Sequence, residues 1–476
     1  MPCLESKRMP DYDVIVIGAG LSGLSAGIRL AYCGRRVAVF ERHWFSGGLN
    51  SYYERGGVTV DVGLHAMTNY VPETERQAPM NRLFRQLKLK RASMDLMPQT
   101  HSEIRFPGVT LTLDNDPETF LREAALRFPE DADALRALFA RIGAYSYAGD
   151  EIPETMARAE LAACIRSPLL REMILCPVMF YGNPMQGDMS FRQFSILFKS
   201  LFLEGMARPH DGMKPFVMRL QEKFLELGGA LFLRTGVRSI RMSGGAACGV
   251  TLDDGRELSA HAVLSSVGAC ETARLCDGSL PGLSSARPGE IAFAETIFTL
   301  DCLPSDLGLT PAIIFQNSTD AFDFRTPETG LDLRSQIICF PGNFEGCSDI
   351  PAARSVRITS LTSPRWWNGL EGDSYRRAKE DSASALLEVL AALSPSLPSH
   401  VTGNEVSTPR TITRFTGHVN GAIYGSPDKA YSAATGCRNL YLCGTDQGLL
   451  GIIGSMMSGA VVANQMEMGT DWRALS

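Results

Sequence analysis

Three glycines mark the first place where this sequence could do chemistry. Gly18, Gly20 and Gly23 lie in the run Gly18-Ala19-Gly20-Leu21-Ser22-Gly23, directly after the apolar run Asp13-Val14-Ile15-Val16-Ile17. At this spacing the first glycine makes a tight turn, the second lets backbone approach a pyrophosphate, and the third lets a helix pack on a strand. A helix starting near Leu21 and Ser22 points unsatisfied N–H groups and about half a positive charge at phosphate. Glu41, eighteen residues after Gly23, ends a second apolar run, Arg36-Val37-Ala38-Val39-Phe40. Its carboxylate can accept hydrogen bonds from both hydroxyls of an adenosine ribose. A lone glycine turn is weak evidence, but strand, helix, second strand and terminal acid together specify a dinucleotide site.

The glycines continue past the ribose. Gly47-Gly48, followed by Leu49-Asn50-Ser51, and then Val60-Asp61-Val62-Gly63-Leu64-His65, suit a backbone lying against the rest of a longer cofactor. Near the C-terminus, Leu440-Tyr441-Leu442-Cys443-Gly444-Thr445-Asp446 with Gly451 and Gly454 reads as a strand, a glycine turn and a helix starting near Ser455. The N-terminus of that helix can stabilise negative charge on the pyrimidine edge of a reduced flavin. FAD rather than NAD is therefore expected. The residues expected at it are Gly18, Gly20, Leu21, Ser22, Gly23, Glu41, Arg42, Gly47, Gly48, Leu49, Asn50, Asp61, Gly63, His65, Val237, Gly444, Asp446, Gly454 and Ser455. Asp446 is expected to accept a hydrogen bond from the ribityl or phosphate region. The glycines between Ser243 and Gly249 fall in a hairpin without a following helix, so a second, NADPH-binding turn is not expected.

These motifs resemble the flavoproteins of the phytoene desaturase, carotenoid isomerase and retinol saturase group. Asp211-Gly212-Met213, Leu227-Gly228-Gly229-Ala230, Cys248 to Gly255, Arg414-Phe415-Thr416-Gly417 and Gly421-Ala422-Ile423-Tyr424-Gly425 add to the resemblance in patches along nearly the whole chain. It implies a glutathione-reductase-type fold and an FAD-dependent oxidoreductase acting on carbon–carbon double bonds of a polyisoprenoid or carotenoid-like substrate, by desaturation, saturation or cis–trans isomerisation. Leu49 stands where many desaturases have arginine, and Gly444-Thr445-Asp446 looks more like the saturase branch. Two alternatives stay open: an amine-oxidase-like enzyme on a smaller substrate, and a non-catalytic prenyl-binding protein of the same fold. The first would favour an aromatic pair facing the flavin, which adjacent Trp366-Trp367 does not supply.

Flavin chemistry needs a substrate carbon held against the ring, water excluded and, in some reactions, a proton donor or acceptor. His65 is the candidate catalytic acid or base, set against the plain reading of a loop histidine bonded to backbone. His418 and Tyr424 are candidates to face the same cavity. His43, His101, His210, His261 and His400 belong to no constellation. The twelve cysteines are scattered from Cys3 to Cys443 without a Cys-x-x-Cys pair, so neither a metal site nor structural disulfides are expected.

Positioning these residues calls for an α/β fold, a glutathione-reductase-type FAD-binding Rossmann domain interleaved with a mixed α+β substrate domain. The expected FAD-binding parts are 11–75, 208–280 and 425–476, and the substrate parts 76–207 and 281–424. Residues 76–207 read as mostly helical, with helices at Phe120–Phe128 and Ala132–Arg141; Met213–Leu227 reads as a helix, and the stretch after it as a small antiparallel meander.

The 476 residues leave room for a buried cofactor, and a net charge of −6 makes nucleic acid an unlikely partner by charge alone. Without a signal-like leader or a bilayer-length apolar run, the cytoplasm is the default location. A lipophilic small-molecule substrate would favour peripheral contact with the inner face of a membrane. Two segments offer themselves: the apolar Phe191–Leu203, otherwise a core helix, and Arg82–Arg91 with five positive charges, otherwise a solvated face.

Overall fold

The computed structural model describes residues 10–55, 57–63, 65–146, 152–276, 283 and 286–469. The leader with Cys3, and Leu64 within the Asp61–His65 segment, lie outside the described residues. Continuous β-branched runs buried on both faces build the first sheet. Tyr12–Ile17 pairs in parallel with Val37–Phe40 on one side and with Glu257–Ser265 on the other. Val37–Phe40 in turn pairs with Ala230–Phe232, and Leu440–Leu442 pairs with Val263–Ser265, all parallel. Parallel strands buried this way need helices on their faces. Leu21–Tyr32 supplies one, packed between Gly451–Gly469 and Met213–Glu226. The expected meander is present as Val237–Ser243, Ala246–Leu252 and Glu257–Ser265, antiparallel. Its last strand continues into the parallel sheet, so meander and nucleotide turn share one frame.

The second sheet has the order Val401–Ser407, Phe293–Leu300, Ser355–Thr362, Leu331–Cys339, Ile313–Asn317, Ser102–Phe106, Val109–Leu113. Alternate residues of its strands enter different cores. Phe293, Ile313, Phe315, Ile337 and Leu361 pack with Pro168–Gly182 and Phe191–Phe198, whereas Phe298, Ile314, Ile338, Val356 and Ile358 pack under Gly372–Leu393.

Some local expectations change. Residues 76–207 are not only helical: Ser102–Phe106 and Val109–Leu113 form a hairpin around Pro107-Gly108, and Leu96–Pro98 pairs with Ala207–Pro209. The hairpin buries Ile104, Phe106, Leu111 and Leu113 on one side. It becomes the edge of a sheet through Ile313–Asn317, over two hundred residues away, which no local pattern foretells. The C-terminal helix begins at Gly451, not near Ser455.

Phe191–Phe198 is an α-helix running into a π-helical turn at Lys199–Leu203. Phe191, Phe194, Phe198 and Phe202 form a ladder with ring centroids 5.7, 5.5 and 4.9 Å apart, all buried. The core reading of this segment therefore holds, and its apolar side is spent inside the protein. In Arg82–Arg91 the apolar Leu83, Phe84, Leu87 and Leu89 are buried, while Arg82, Arg85, Lys88 and Lys90 are exposed. Among the described residues no helix is long and apolar enough to cross a membrane.

Candidate active site

Two cavities meet at the glycine turn. The larger, about 850 Å³, runs from Glu41, Arg42 and Val237 past Gly18 and Gly20 to Gly48 and Leu49. Its floor is made by the absence of side chains: a Cβ on Gly48 would lie 3.2 Å from the Gly20 Cα, and one on Gly20 would point at Gly48 from 4.0 Å. Helix Leu21–Tyr32 starts there with no acidic residue in its first turn. Glu41 is turned inward, where its carboxylate accepts from the backbone N–H of Ala19 and of His43, both at 2.8 Å. Arg42 donates to the Arg414 carbonyl at 2.9 Å and so ties this wall to helix Pro409–Thr416. Ile412 and His418 of that segment line both cavities.

The smaller cavity, about 220 Å³, continues from Gly20, Leu21, Ser22 and Gly47–Asn50 to Gly444, Thr445 and the start of the C-terminal helix at Gly451, Ile452 and Ser455. Its far wall comes from the second sheet, helix Pro168–Gly182 and the loop at 423–424: Phe180, Tyr181, Phe293, Ile337, Ile423 and Tyr424 are apolar or aromatic. Tyr424 donates its hydroxyl to the Phe180 carbonyl and packs edge-on against Phe293 at 5.9 Å. On the same wall, His65 Nε2 lies 2.9 Å from Thr359 Oγ1 and 3.8 Å from Glu295 Oε1. Arg357 grips Glu295 with Nε at 3.0 Å and Nη2 at 2.9 Å, and the same Nη2 donates to the Asp61 carbonyl at 2.8 Å.

This packing determines what His65 can do. Burial, only partly offset by Glu295 and reinforced by Arg357 and Arg208, pushes its pKa down to about 4. With its pKa lowered in this way the ring is neutral near pH 7, where it can accept or donate a hydrogen bond. Burial on its own would raise the Glu295 pKa, but the Arg357 guanidinium beside it holds the carboxyl below its usual range.

Four residues expected at the cofactor line neither cavity: Gly23, Asp61, Asp446 and Gly454. Gly23 is packed so tightly on the turn that a Cβ would lie on the Gly18 carbonyl, as its helix-packing task requires. Asp61 accepts from Met213 N–H at 2.7 Å and caps helix Met213–Glu226, with Arg208 at 3.5 Å. This explains Asp211-Gly212-Met213: Gly212 has φ +78°, and any Cβ there would stand 2.5 Å from the Asp61 carboxylate. Asp446 is likewise spent, accepting from Ala269 N–H at 2.6 Å and Ser426 N–H at 2.7 Å, with Lys429 Nζ at 3.7 Å. Gly454, inside the helix, packs on the backbone of Leu449 just ahead of it. Gly63, by contrast, lines the smaller cavity. Sequence reading missed Ser266 and Val267, which line the larger cavity after the strand Glu257–Ser265; a strand end followed by Gly268 was the available signal. For Glu295 and Thr359 no such signal exists.

The family model described as "Flavin containing amine oxidoreductase" matches residues 21–288, more than half of the chain. The chain belongs to the flavin-containing amine oxidoreductase family. Its cofactor is FAD, as the glycine pattern led one to expect. The expected resemblance to carotenoid isomerases and retinol saturases is also borne out. A chloroplastic prolycopene isomerase of Arabidopsis thaliana is 25% identical over 93% of this chain and 76% of its own length. An all-trans-retinol 13,14-reductase of Macaca fascicularis is 22% identical over 95% of this chain and 85% of its own. Among solved structures, an oxidoreductase from Methanosarcina mazei has the same fold, with a TM-score of 0.68 at 16% identity over 95% of this chain and 99% of its own. Putrescine oxidase bound to putrescine gives 0.62 at 16% identity over 96% and 99%.

The side-chain-free floor at Gly20 and Gly48, the helix N-terminus above it and the inward Glu41 fit the pyrophosphate and ribose of FAD. FAD bound there would supply hydride or electron chemistry.

Proposed function

We propose that this FAD-dependent oxidoreductase acts on carbon–carbon double bonds of a lipophilic, polyisoprenoid- or carotenoid-like substrate, by desaturation, saturation or isomerisation. The observation that carries the reading is the smaller cavity. One end reaches the C-terminal helix N-terminus expected at the flavin, and its opposite wall is largely the apolar set Phe180, Phe293, Ile337 and Ile423. Such a wall holds a hydrocarbon chain by burial alone, worth about 0.8 kcal/mol per methylene. The named substrates of the two relatives, prolycopene and all-trans-retinol, are of this class. In this reading Gly18, Gly20, Glu41, Arg42 and Val237 hold the adenosine diphosphate half of FAD, and Gly47–Asn50, Gly444 and Ser455 the flavin half.

Anaerobic incubation of the purified flavoprotein with lycopene-type, phytoene-type and retinol-type polyenes tests the proposal, reading flavin spectrum and product mass together. Gain, loss or conservation of two hydrogens separates saturase, desaturase and isomerase. A flavin left oxidised and products unchanged with every polyene would count against all three.

A second reading, oxidation of a smaller amine, draws support from the aromatic residues Tyr181 and Tyr424 in the same cavity. Turnover of simple amines with release of hydrogen peroxide would favour it. We also propose residence in the cytoplasm with peripheral contact at the inner face of a membrane, made through the exposed cations Arg82, Arg85, Lys88 and Lys90. Flotation with anionic liposomes checks this, and protein remaining at the bottom speaks against it.

A further inference from the structure

The strands Phe293–Leu300 and Val401–Ser407 run antiparallel, with Leu300 opposite Val401. This register puts the residue leaving the first strand, Asp301, beside the residue entering the second, His400, and the Asp301 N–H donates to the His400 carbonyl at 3.1 Å. Arg354 Nη1 holds the Asp301 carbonyl at 2.7 Å. Successive side chains of a strand point to opposite faces, but the chain bends at Asp301 and Cys302, and both come to His400. Asp301 Oδ1 and His400 Nδ1 stand 2.8 Å apart, and a carboxylate oxygen, the Cys302 thiol and an imidazole nitrogen all lie within 4.8 Å of one another. Cys302 and His400 are far apart in sequence, which is why spacing along the chain predicts no metal site.

A thiol, an imidazole and a carboxylate together could serve as a nucleophile with its base or as ligands to a metal. Charge decides against the first. A reactive thiol needs cations about it to favour the thiolate. Here partial burial, then Asp301 and Asp306, push the Cys302 thiol up, and Arg354 is the weaker, opposing influence. The same negative surroundings attract a cation. Thiolate with imidazole selects an ion such as Zn2+ over Ca2+ or Mg2+, which take oxygen ligands. The cluster of Asp95, His210 and Asp211 differs: it has no sulfur, and both His210 nitrogens are engaged, Nδ1 with Asp211 Oδ1 at 2.8 Å and Nε2 with the Gly346 carbonyl at 3.2 Å.

We propose that Asp301, Cys302 and His400 form a surface zinc site, with water in the remaining position of a tetrahedron. Ligands bonded at about 2.0–2.3 Å stand about 3.3–3.8 Å apart on such an ion, so Asp301 and His400 part slightly and Cys302 moves in. The thiol proton leaves to solvent, and His400 binds through Nδ1 with its proton on Nε2, so zinc uptake weakens as pH falls. The ion ties the two strand ends together, and the proposal is independent of the polyene reading.

The test is equilibrium dialysis of the chelator-treated, desalted holoenzyme against zinc, with bound metal measured by elemental analysis. The unmodified protein should take up a single zinc ion per chain. Cys302→Ser and His400→Ala should each weaken uptake about tenfold or more, while His210→Ala binds as the unmodified protein does. Cobalt in place of zinc should give a thiolate-to-metal charge-transfer absorption in the difference spectrum that Cys302→Ser lacks. No zinc bound, or uptake unchanged in both Cys302→Ser and His400→Ala, overturns the proposal, as does a cobalt absorption that survives Cys302→Ser. Should Cys302→Ser fail to fold, Asp301→Asn and His400→Ala decide by the same zinc measurement.

Discussion

At the scale of single residues, the site is built from side chains that are missing and carboxylates that are already occupied. Gly20 faces Gly48 across the cofactor floor, so Gly20→Val should abolish FAD binding by filling the space. The check is the ratio of flavin to protein absorbance after purification, and a stoichiometric flavin content in the valine variant would refute the placement. Asp446 has the opposite character. It holds two backbone N–H groups and stands beside a buried lysine, whose pKa burial lowers to about 8 against the pull of Asp446. Asp446→Ala leaves these groups unanswered, and a loss on the order of 3 kcal/mol in denaturant unfolding is expected. His65 yields a pH prediction. Its folded pKa of about 4 lies below the ordinary 6.5, so between these values the unfolded chain binds the proton and the folded chain does not. Stability therefore falls as pH drops from about 6.5 toward 4, by up to roughly 1.4 kcal/mol per pH unit, and is insensitive to this residue above 7. Unfolding curves of His65→Phe should lose that part of the acid sensitivity.

At the scale of elements, the segment Phe191–Leu203 shows how one apolar pattern serves two readings until neighbours are known. Its phenylalanine ladder meets Phe120 of helix Pro117–Arg127 and Phe139 of helix Ala132–Ala144, which buries it in the core. Phe198→Ala should cost about 3–5 kcal/mol in unfolding free energy, as for other buried aromatic truncations, without changing liposome flotation. Loss of flotation with stability intact would return the segment to the membrane surface. The element Pro409–Thr416 was legible as part of a motif, but its position was not. It bridges both cavities because Arg42 reaches its Arg414 carbonyl, and Val419 N–H, just beyond its end, is accepted by Glu271 at 2.9 Å.

At the scale of the molecule, the buried group Asp61, His65, Glu295 and Arg357 ties the segment 61–65 beside the cofactor cleft to the second sheet. Glu295→Gln keeps the shape but removes the charge that answers Arg357. Breaking one partner of a buried pair typically costs about 3–5 kcal/mol, far more than a surface pair, and thermal unfolding should show it. Because the cofactor cleft joins residues 18–50 to residues 444–455, FAD links distant parts of the chain. Removing it should lower the melting temperature in proportion to the free energy of binding, about 2.7 kcal/mol at a hundredfold excess over Kd.

The sequence by itself determined the dinucleotide turn, the cofactor and the α/β frame. Each rests on a contiguous unit: strand, Gly18–Gly23, helix, strand and Glu41 specify one another within thirty residues, through turn geometry and helix-end charge that no distant contact alters. It also marked Asp61, Gly212, Gly425 and Asp446 as parts of motifs, but not the backbone amides that the two carboxylates hold. Their partners are backbone amides at 213, 269 and 426, and a capping carboxylate in a glycine-rich turn looks the same in sequence as a cofactor-binding one. Only the tertiary structure decided the smaller cavity. Glu295 meets Thr359 by cross-strand register, and both meet His65 only when the loop after Asp61 docks on the second sheet. A strand residue gains its chemistry from neighbours hundreds of positions away, so the dinucleotide turn could be read from local order and the pocket beside it could not.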